Sequence, residues 1–234
     1  MLFFALQGIS PAYGIIIMKL ATALLLSYER QDNLRKIIDN LRKQSVDIDI
    51  FLWNNNPEDK TEYPVELQIN SSKNLMCWPR WFMANYASTD YVFSLDDDLL
   101  MMDNRLIEQC IDYLSTHDCD AIGYSGVKIH DPKKPYKDQL HINSVIHDAE
   151  VDVLKGGFIF VNKNNINLPS TLLDSSVANP RIEDDIIVSS LMGKKVVPAI
   201  LRKRFRALSG FHNGLHSQSN HHESRNEYMR QYHE

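Results

Sequence analysis

Apolar runs of strand length alternate with apolar residues at helical spacing through the first half of the chain. Lys19 to Ser27 (KLATALLLS) is a short apolar run bounded by polar residues, the pattern of a buried strand. Leu34, Ile37, Ile38 and Leu41 follow at i, i+3, i+4 and i+7 within Asp32 to Lys43, one apolar stripe along a helix. Asp47 to Trp53 (DIDIFLW) reads as a second strand, stopped by Asn54, Asn55, Asn56 and Pro57. Trp78 to Ala87 predicts a helix with Pro79 in its first turn, where an amide would be unpaired anyway. Tyr91 to Leu95 (YVFSL) is a third strand and runs directly into Asp96, Asp97 and Asp98. The helix predicted over Asn104 to Thr116 turns Leu106, Ile107, Cys110, Ile111 and Leu114 inward.

The second half is less regular and richer in strands. Asp120 to Ile129 and Val151 to Val161 read as strands, Glu183 to Met192 as a helix, and Lys195 to Leu201 as a strand. His216 to Glu234 is almost wholly polar and predicts a loop with a frayed tail. Strand–helix alternation of this kind argues an α/β fold with a central, mostly parallel sheet flanked by helices. With 234 residues, no internal repeat and no low-complexity linker, one domain is expected. Residues 1–17 are apolar but interrupted by Gly8, Pro11 and Gly14, and they lack the basic start of a secretory signal. No uninterrupted run there reaches the ~18 residues of a membrane span. The expectation is a domain over 18–234, opening at Met18 and not membrane-associated, with a weak membrane anchor from residues 1–17 as the alternative.

Composition narrows the class of function. A net charge of −5 gives no global field for nucleic acid. Cys77, Cys110 and Cys119 form no CxxC pair and suggest neither a disulfide framework nor a thiolate zinc site, so a reducing, cytoplasmic setting is expected. Three adjacent aspartates at a strand end are the chemical signal. Like charges at contact distance raise one another's pKa unless a cation sits among them. In open α/β sheets the carboxyl ends of strands line the ligand crevice, and hard oxygen ligands suit Mg²⁺ or Mn²⁺ bridging nucleotide phosphates. The alternative is a solvated acidic turn capping the next helix. A second acidic cluster, Glu183, Asp184 and Asp185, stands at a helix start, where capping or a carboxylate aimed at a reacting centre would both place it.

A strand followed by an Asp-x-Asp element resembles the GT-A fold of nucleotide-sugar glycosyltransferases. The ordered set of motifs is similar to that of exostosin-like glycosyltransferases: Leu52-Trp53-Asn54-Asn55, then Asn74 and Arg80, then Leu95-Asp96-Asp97-Asp98. It continues with Leu154-Lys155-Gly156-Gly157-Phe158, Asp184-Asp185-Ile186 and Arg202-Lys203-Arg204-Phe205. Ser27-Tyr28-Glu29-Arg30 also resembles the opening of family 2 glycosyltransferases. The resemblance implies Mn²⁺ or Mg²⁺ held by Asp98, with Asp96 touching the ribose or sugar of a nucleotide-sugar donor, a UDP-sugar in the first instance. It implies a donor pocket lined by Tyr28, Arg30, Asn54, Asn55, Asn74, Arg80 and Asp97. Gly156 and Gly157 would let the backbone approach a sugar closely. Asp185, or Asp184 with a one-residue slip, would face the anomeric carbon while a glycan or other hydroxyl acceptor attacks.

Several histidines crowd Phe211 to His222, and His216, then His212, are the candidates for a further metal ligand. Three rival readings share parts of the pattern. A haloacid-dehalogenase-type phosphatase also uses a strand ending in Asp-x-Asp, but normally on its first strand. A sugar nucleotidylyltransferase needs a glycine-rich basic loop where SYERQDN stands. A non-catalytic sugar- or metal-binding module would have no need of the 183–185 carboxylates.

Overall fold

The computed structural model describes residues 19–166, 183–209 and 221–233. Its first third follows the apolar pattern: β1 (Ala21–Ser27), α1 (Gln31–Leu41) and β2 (Ile48–Asn54). Next come β3 (Leu67–Asn70), α2 (Pro79–Phe82) with a 3₁₀ turn over Met83–Tyr86, β4 (Tyr91–Leu95), β5 (Leu99–Met101) and α3 (Leu106–Thr116). The second half holds β6 (Ala121–Gly123), β7 (Ser125–Lys128), β8 (Leu140–Asn143), β9 (Ala149–Val151), β10 (Val153–Leu154) and β11 (Phe158–Asn162). It ends with α4 (Asp184–Ser190), β12 (Lys195–Val197), β13 (Phe205–Ala207) and α5 (His221–His233).

The central sheet runs β3-β2-β1-β4-β11-β6-β12-β9. The pairings β3–β2, β2–β1, β1–β4 and β6–β12 are parallel, while β11 lies antiparallel between β4 and β6 and β9 closes the edge antiparallel. Side chains alternate across this sheet, as a period of two requires. Ala21, Ala23, Leu25, Phe93, Leu95, Phe158 and Phe160 pack with the inner stripes of α1 and α3. Leu24, Val92, Ile159 and Val161 face the other way, against Trp78, Trp81, Phe82, Ile187 and Val188. The result is a helix–sheet–helix sandwich in which α2 and α4 share one face.

Three expectations are corrected by tertiary pairing. The strand expected over Asp120 to Ile129 divides at Tyr124, because β6 pairs within the large sheet and β7 joins a separate three-stranded sheet, β10-β7-β8. The strand expected over Val151 to Val161 is interrupted at Lys155-Gly156-Gly157 for the same reason. The predicted polar tail contains helix α5, whose Arg225 and Met229 are buried and whose Tyr228 is half-buried, while Glu223, Glu227 and Arg230 are exposed. Positions 225, 228 and 229 form a narrow inner stripe that average polarity conceals. No helix among the described residues is long and apolar enough to cross a membrane.

Gly126 sits where β7 meets its partners. A Cβ there would lie 2.8 Å from both Val151 methyls and from the Val153 carbonyl oxygen. Gly126→Ala should cost about 1–3 kcal/mol by overpacking, read as a lower urea midpoint at unchanged slope.

Candidate active site

The acidic triplet follows β4 at the carboxyl edge of the parallel strands. Its backbone is fixed on both sides: Asp96 donates its amide to the Gly157 carbonyl at 3.0 Å, and the Asp98 carbonyl accepts from Leu208 at 2.7 Å. Two arginines reach it from different elements. Arg30, just beyond β1, donates through Nη1 to Asp97 and, at 3.0 Å, to Asp98. Arg80, in α2, donates through Nη1 to Asp96 Oδ1 at 2.6 Å.

The same Arg80 guanidinium grips the second acidic cluster. Its Nε and Nη2 donate to Asp184 Oδ2 at 3.0 and 2.9 Å, and Trp81 Nε1 donates to that oxygen at 3.0 Å. Arg80 and Asp184 are both almost wholly buried, with side-chain exposures of 3% and 4%. Burial pushes the Asp184 carboxyl above the usual carboxylate range, with Arg80 opposing the shift. Asp184 Oδ1 carries no hydrogen bond among the described residues, and a Cβ on Gly156 would come within 3.8 Å of it. Gly156 thus packs its backbone directly against Arg80 and this oxygen.

Asp185 is engaged differently. Its Oδ1 accepts from the Ile186 amide at 2.9 Å, and its Oδ2 accepts from the Gly156 amide at 3.3 Å and from Arg225 Nη2 at 2.6 Å. Both carboxylate oxygens of Asp185 therefore face a donor, whereas among the described residues Asp184 keeps one that does not. Arg225 itself also donates to Tyr136 Oη at 2.8 Å.

The remaining candidates divide between site and scaffold. Tyr28 is exposed at the end of β1, beside Arg30. Asn54 is fully buried, and its amide donates to the Asp59 carbonyl and to Asn70 Oδ1. Asn55 donates to the Met76 carbonyl at 2.7 Å and accepts from the Leu75 amide, while Asn74 Oδ1 accepts from the Met76 amide. These three bonds hold Met76 at φ 60°, a left-handed conformation that costs about 1–3 kcal/mol unless its surroundings enforce it. The turn they enforce delivers Trp78, Pro79 and Arg80 into α2. Gly157 admits no side chain: a Cβ would meet the Tyr124 ring at 2.7 Å and Leu99 Cδ1 at 2.9 Å. His212 and His216 lie outside the described residues.

Trp81, Tyr136, Lys155 and Arg225 were not among the sequence candidates for this site. For Arg225 a signal existed in its spacing with Tyr228 and Met229; for Tyr136, in an irregular stretch, none did.

The oxygen-only donor set of the triplet suits Mg²⁺ or Mn²⁺. Among the described residues no three His, Cys, Asp or Glu side chains converge into a ready coordination set. A divalent cation here would therefore take one or two carboxylates and complete its shell from phosphate oxygens and water, the usual habit of Mg²⁺.

The sheet order, the acidic element at the end of β4 and the antiparallel β11 beside it define a GT-A fold. The model of the family "Glycosyl transferase family 2" matches residues 22–171, more than half of the chain, and the chain belongs to that family. The match ends before Asp184, Asp185 and α5. A search of curated proteins finds no match. Among solved structures, S. aureus TarS 1-349 is similar at 12% identity and a TM-score of 0.50, over 82% of this chain and 57% of that one. The mannosyltransferase PcManGT from Pyrobaculum calidifontis, in complex with GDP-Man and Mn²⁺, is similar at 12% identity and a TM-score of 0.45, over 73% of this chain and 50% of that one. The chain thus spans little more than half the length of these two proteins.

Asp97 supplies a test of the site's electrostatics. Burial lifts its pKa from 3.8 to about 6, with Arg30 opposing and Asp96 and Asp98 adding to the rise. A raised carboxyl binds more protons in the folded state, so its contribution to stability falls as pH rises from 3.8 to about 6. Asp97→Asn removes that dependence. The stability of the variant relative to the parent should increase across this window and level off above it, as followed by urea unfolding at each pH.

Proposed function

We propose that the chain transfers a sugar from a nucleoside-diphosphate sugar, a UDP-sugar, to a hydroxyl group of a glycan or other acceptor. The observation that carries this reading is the Arg80 bridge, which ties a carboxylate of the triplet to a buried carboxylate of the second cluster. Donor-side and reacting-side groups are thereby held together, beside Gly156.

The residues divide the work as follows. Tyr28, Arg30, Asn54, Asn55, Asn74, Arg80 and Asp97 form or support the nucleotide pocket, with Asp96 toward the ribose or sugar. Asp98 would hold the divalent cation, Mn²⁺ or Mg²⁺, with His216 as a second ligand. Such a cation supplies Lewis-acid neutralisation of charge on the leaving diphosphate. Gly156 and Gly157 give the sugar close access to the backbone.

Asp184 is the better candidate of the two neighbouring aspartates for proton transfer. Among the described residues its Oδ1 meets no donor, and burial raises its pKa, both of which suit a general base. Asp185 has neither an unspent oxygen nor freedom from Arg225. In the step proposed, Asp184 Oδ1 takes the acceptor hydroxyl proton as the acceptor oxygen bonds to the anomeric carbon. The bond from that carbon to the diphosphate oxygen breaks, and the electron pair leaves with the nucleoside diphosphate. The transition state is oxocarbenium-like, as in other glycosyl transfers. Direct displacement of this kind inverts the anomeric centre.

Thermal stability against a panel of nucleotide sugars, with and without Mn²⁺, tests the donor assignment. A UDP-sugar should raise the melting point only with Mn²⁺, since a ligand of the native state stabilises by mass action. A shift with no nucleotide but with a phosphorylated metabolite and Mg²⁺ would replace the transferase by a phosphatase. Asp98→Asn should abolish the Mn²⁺-dependent shift while the unliganded melting point stays near that of the parent.

Asp184→Asn separates catalysis from binding. Turnover should drop about 100- to 10,000-fold with the donor-induced shift retained. Undiminished turnover in that variant would remove Asp184 from the reaction.

A further inference from the structure

On the side of Asp185 away from Arg80 lies a second group of charges, built from the three-stranded sheet and α5. Arg225 is 5% exposed and donates through Nη2 to Asp185 and to Tyr136. Among the described residues its buried Nε has no partner. Buried guanidinium donors are rarely left unpaired, so this one points to a ligand. The guanidinium cannot easily turn away. It lies 4.4 Å over the Tyr136 ring, Asn226 Oδ1 accepts from the Tyr136 amide at 2.6 Å, and Met229 packs with Val127, Tyr136, Val153 and Ile186.

Lys155 is the second cation. It is half-buried and, among the described residues, donates from Nζ to Asn143 Oδ1 alone, at 3.3 Å. The next residue, Gly156, donates its amide to the same Asp185 Oδ2 that Arg225 holds, and Lys155 lies within electrostatic reach of both Asp185 and Arg225. Among the described residues this group therefore has two positive charges against one negative. His141, whose Nε2 lies 3.2 Å from the Tyr136 carbonyl, is shifted toward the neutral form by burial and by Lys155 and Arg225.

We infer that Arg225 and Lys155 form a receiving site for an anionic group, a phosphate or a carboxylate, carried by the acceptor. A neutral hydroxyl would satisfy a donor but leave the surplus charge, whereas an oxyanion answers both. The donor diphosphate is assigned elsewhere, to the ends of β1 and β4 where Arg30 and the triplet stand. The inference rests on the transferase reading only in calling the anion part of an acceptor. Asp185 then acts as a positioning residue, holding Arg225 beside Gly156.

Titration calorimetry of the full chain with inorganic phosphate tests this, in the presence and absence of UDP with Mn²⁺. Phosphate should bind in both conditions. Lys155→Gln should weaken it about tenfold, the loss of one charge-assisted hydrogen bond, with the melting point unchanged. Arg225→Gln should weaken it further, and Arg225→Lys should recover part of the loss. Acetate in the same titration distinguishes a carboxylate from a phosphate as the preferred group. Absence of phosphate binding, indifference to Lys155→Gln, or displacement of phosphate by UDP would each overturn the inference, the last by placing the anion in the donor pocket. If UDP produces no heat while phosphate binding still depends on Lys155, the donor assignment fails and the anion site stands.

Discussion

The Arg80 guanidinium is the constraint on which the site depends. It is buried, it carries a charge that water can scarcely reach, and it satisfies Asp96 through one nitrogen and Asp184 through two others. Arg80 and Asp184 would each be costly to bury alone. Removing one partner of such a pair typically costs about 3–5 kcal/mol, because the other is left uncompensated. The interaction therefore acts less as a source of net stability than as a geometric requirement. The fold must deliver the end of β4, the start of α2 and the start of α4 to a common point.

The surrounding structure meets that requirement with short-range devices. Asn55 and Asn74 hold the strained Met76 turn that aims α2. Trp81 shares both tasks, packing in the apolar layer on the α4 face and donating its ring N–H to Asp184. The loop between β10 and β11 passes close enough to the acidic groups that Gly156 has Arg80 Nη2 only 3.2 Å from where a Cβ would stand. Helix α5 completes the arrangement by covering Asp185 with Arg225. Carboxylates 184 and 185, adjacent in sequence, are thus divided between two cations, and among the described residues Asp184 alone of the two keeps an oxygen that meets no donor.

Legibility in the sequence varied with the range of the interactions. The inner stripe of α1, the runs that became β1, β2 and β4, and the acidic triplet after β4 were readable because each is a local pattern with a fixed period. The break at Tyr124 was not, because β6 and β7 are distinguished only by which sheet each joins. The short strands β3, β5 and β13 carry too few residues for periodicity to mark them. Helix α5 was hidden by its composition, since one stripe containing an arginine is a weak apolar signal. The family match agrees with the opening motif after β1 and with the GT-A reading, while the exostosin likeness adds candidate residues without having been matched by the comparisons.

By itself the sequence determined the α/β class, the parallel strands at the centre and the positions of the two acidic clusters. Periodicity and local charge density are properties of neighbouring residues, and those survive in a linear reading. Tertiary structure alone decided which cation answers which carboxylate. Arg80 lies 104 positions from Asp184, and Arg225 lies 40 from Asp185. Contacts at such separations follow from how the sheet and its covering helices pack, because burial in a shared low-dielectric space forces each charge to find a partner that packing has brought within reach.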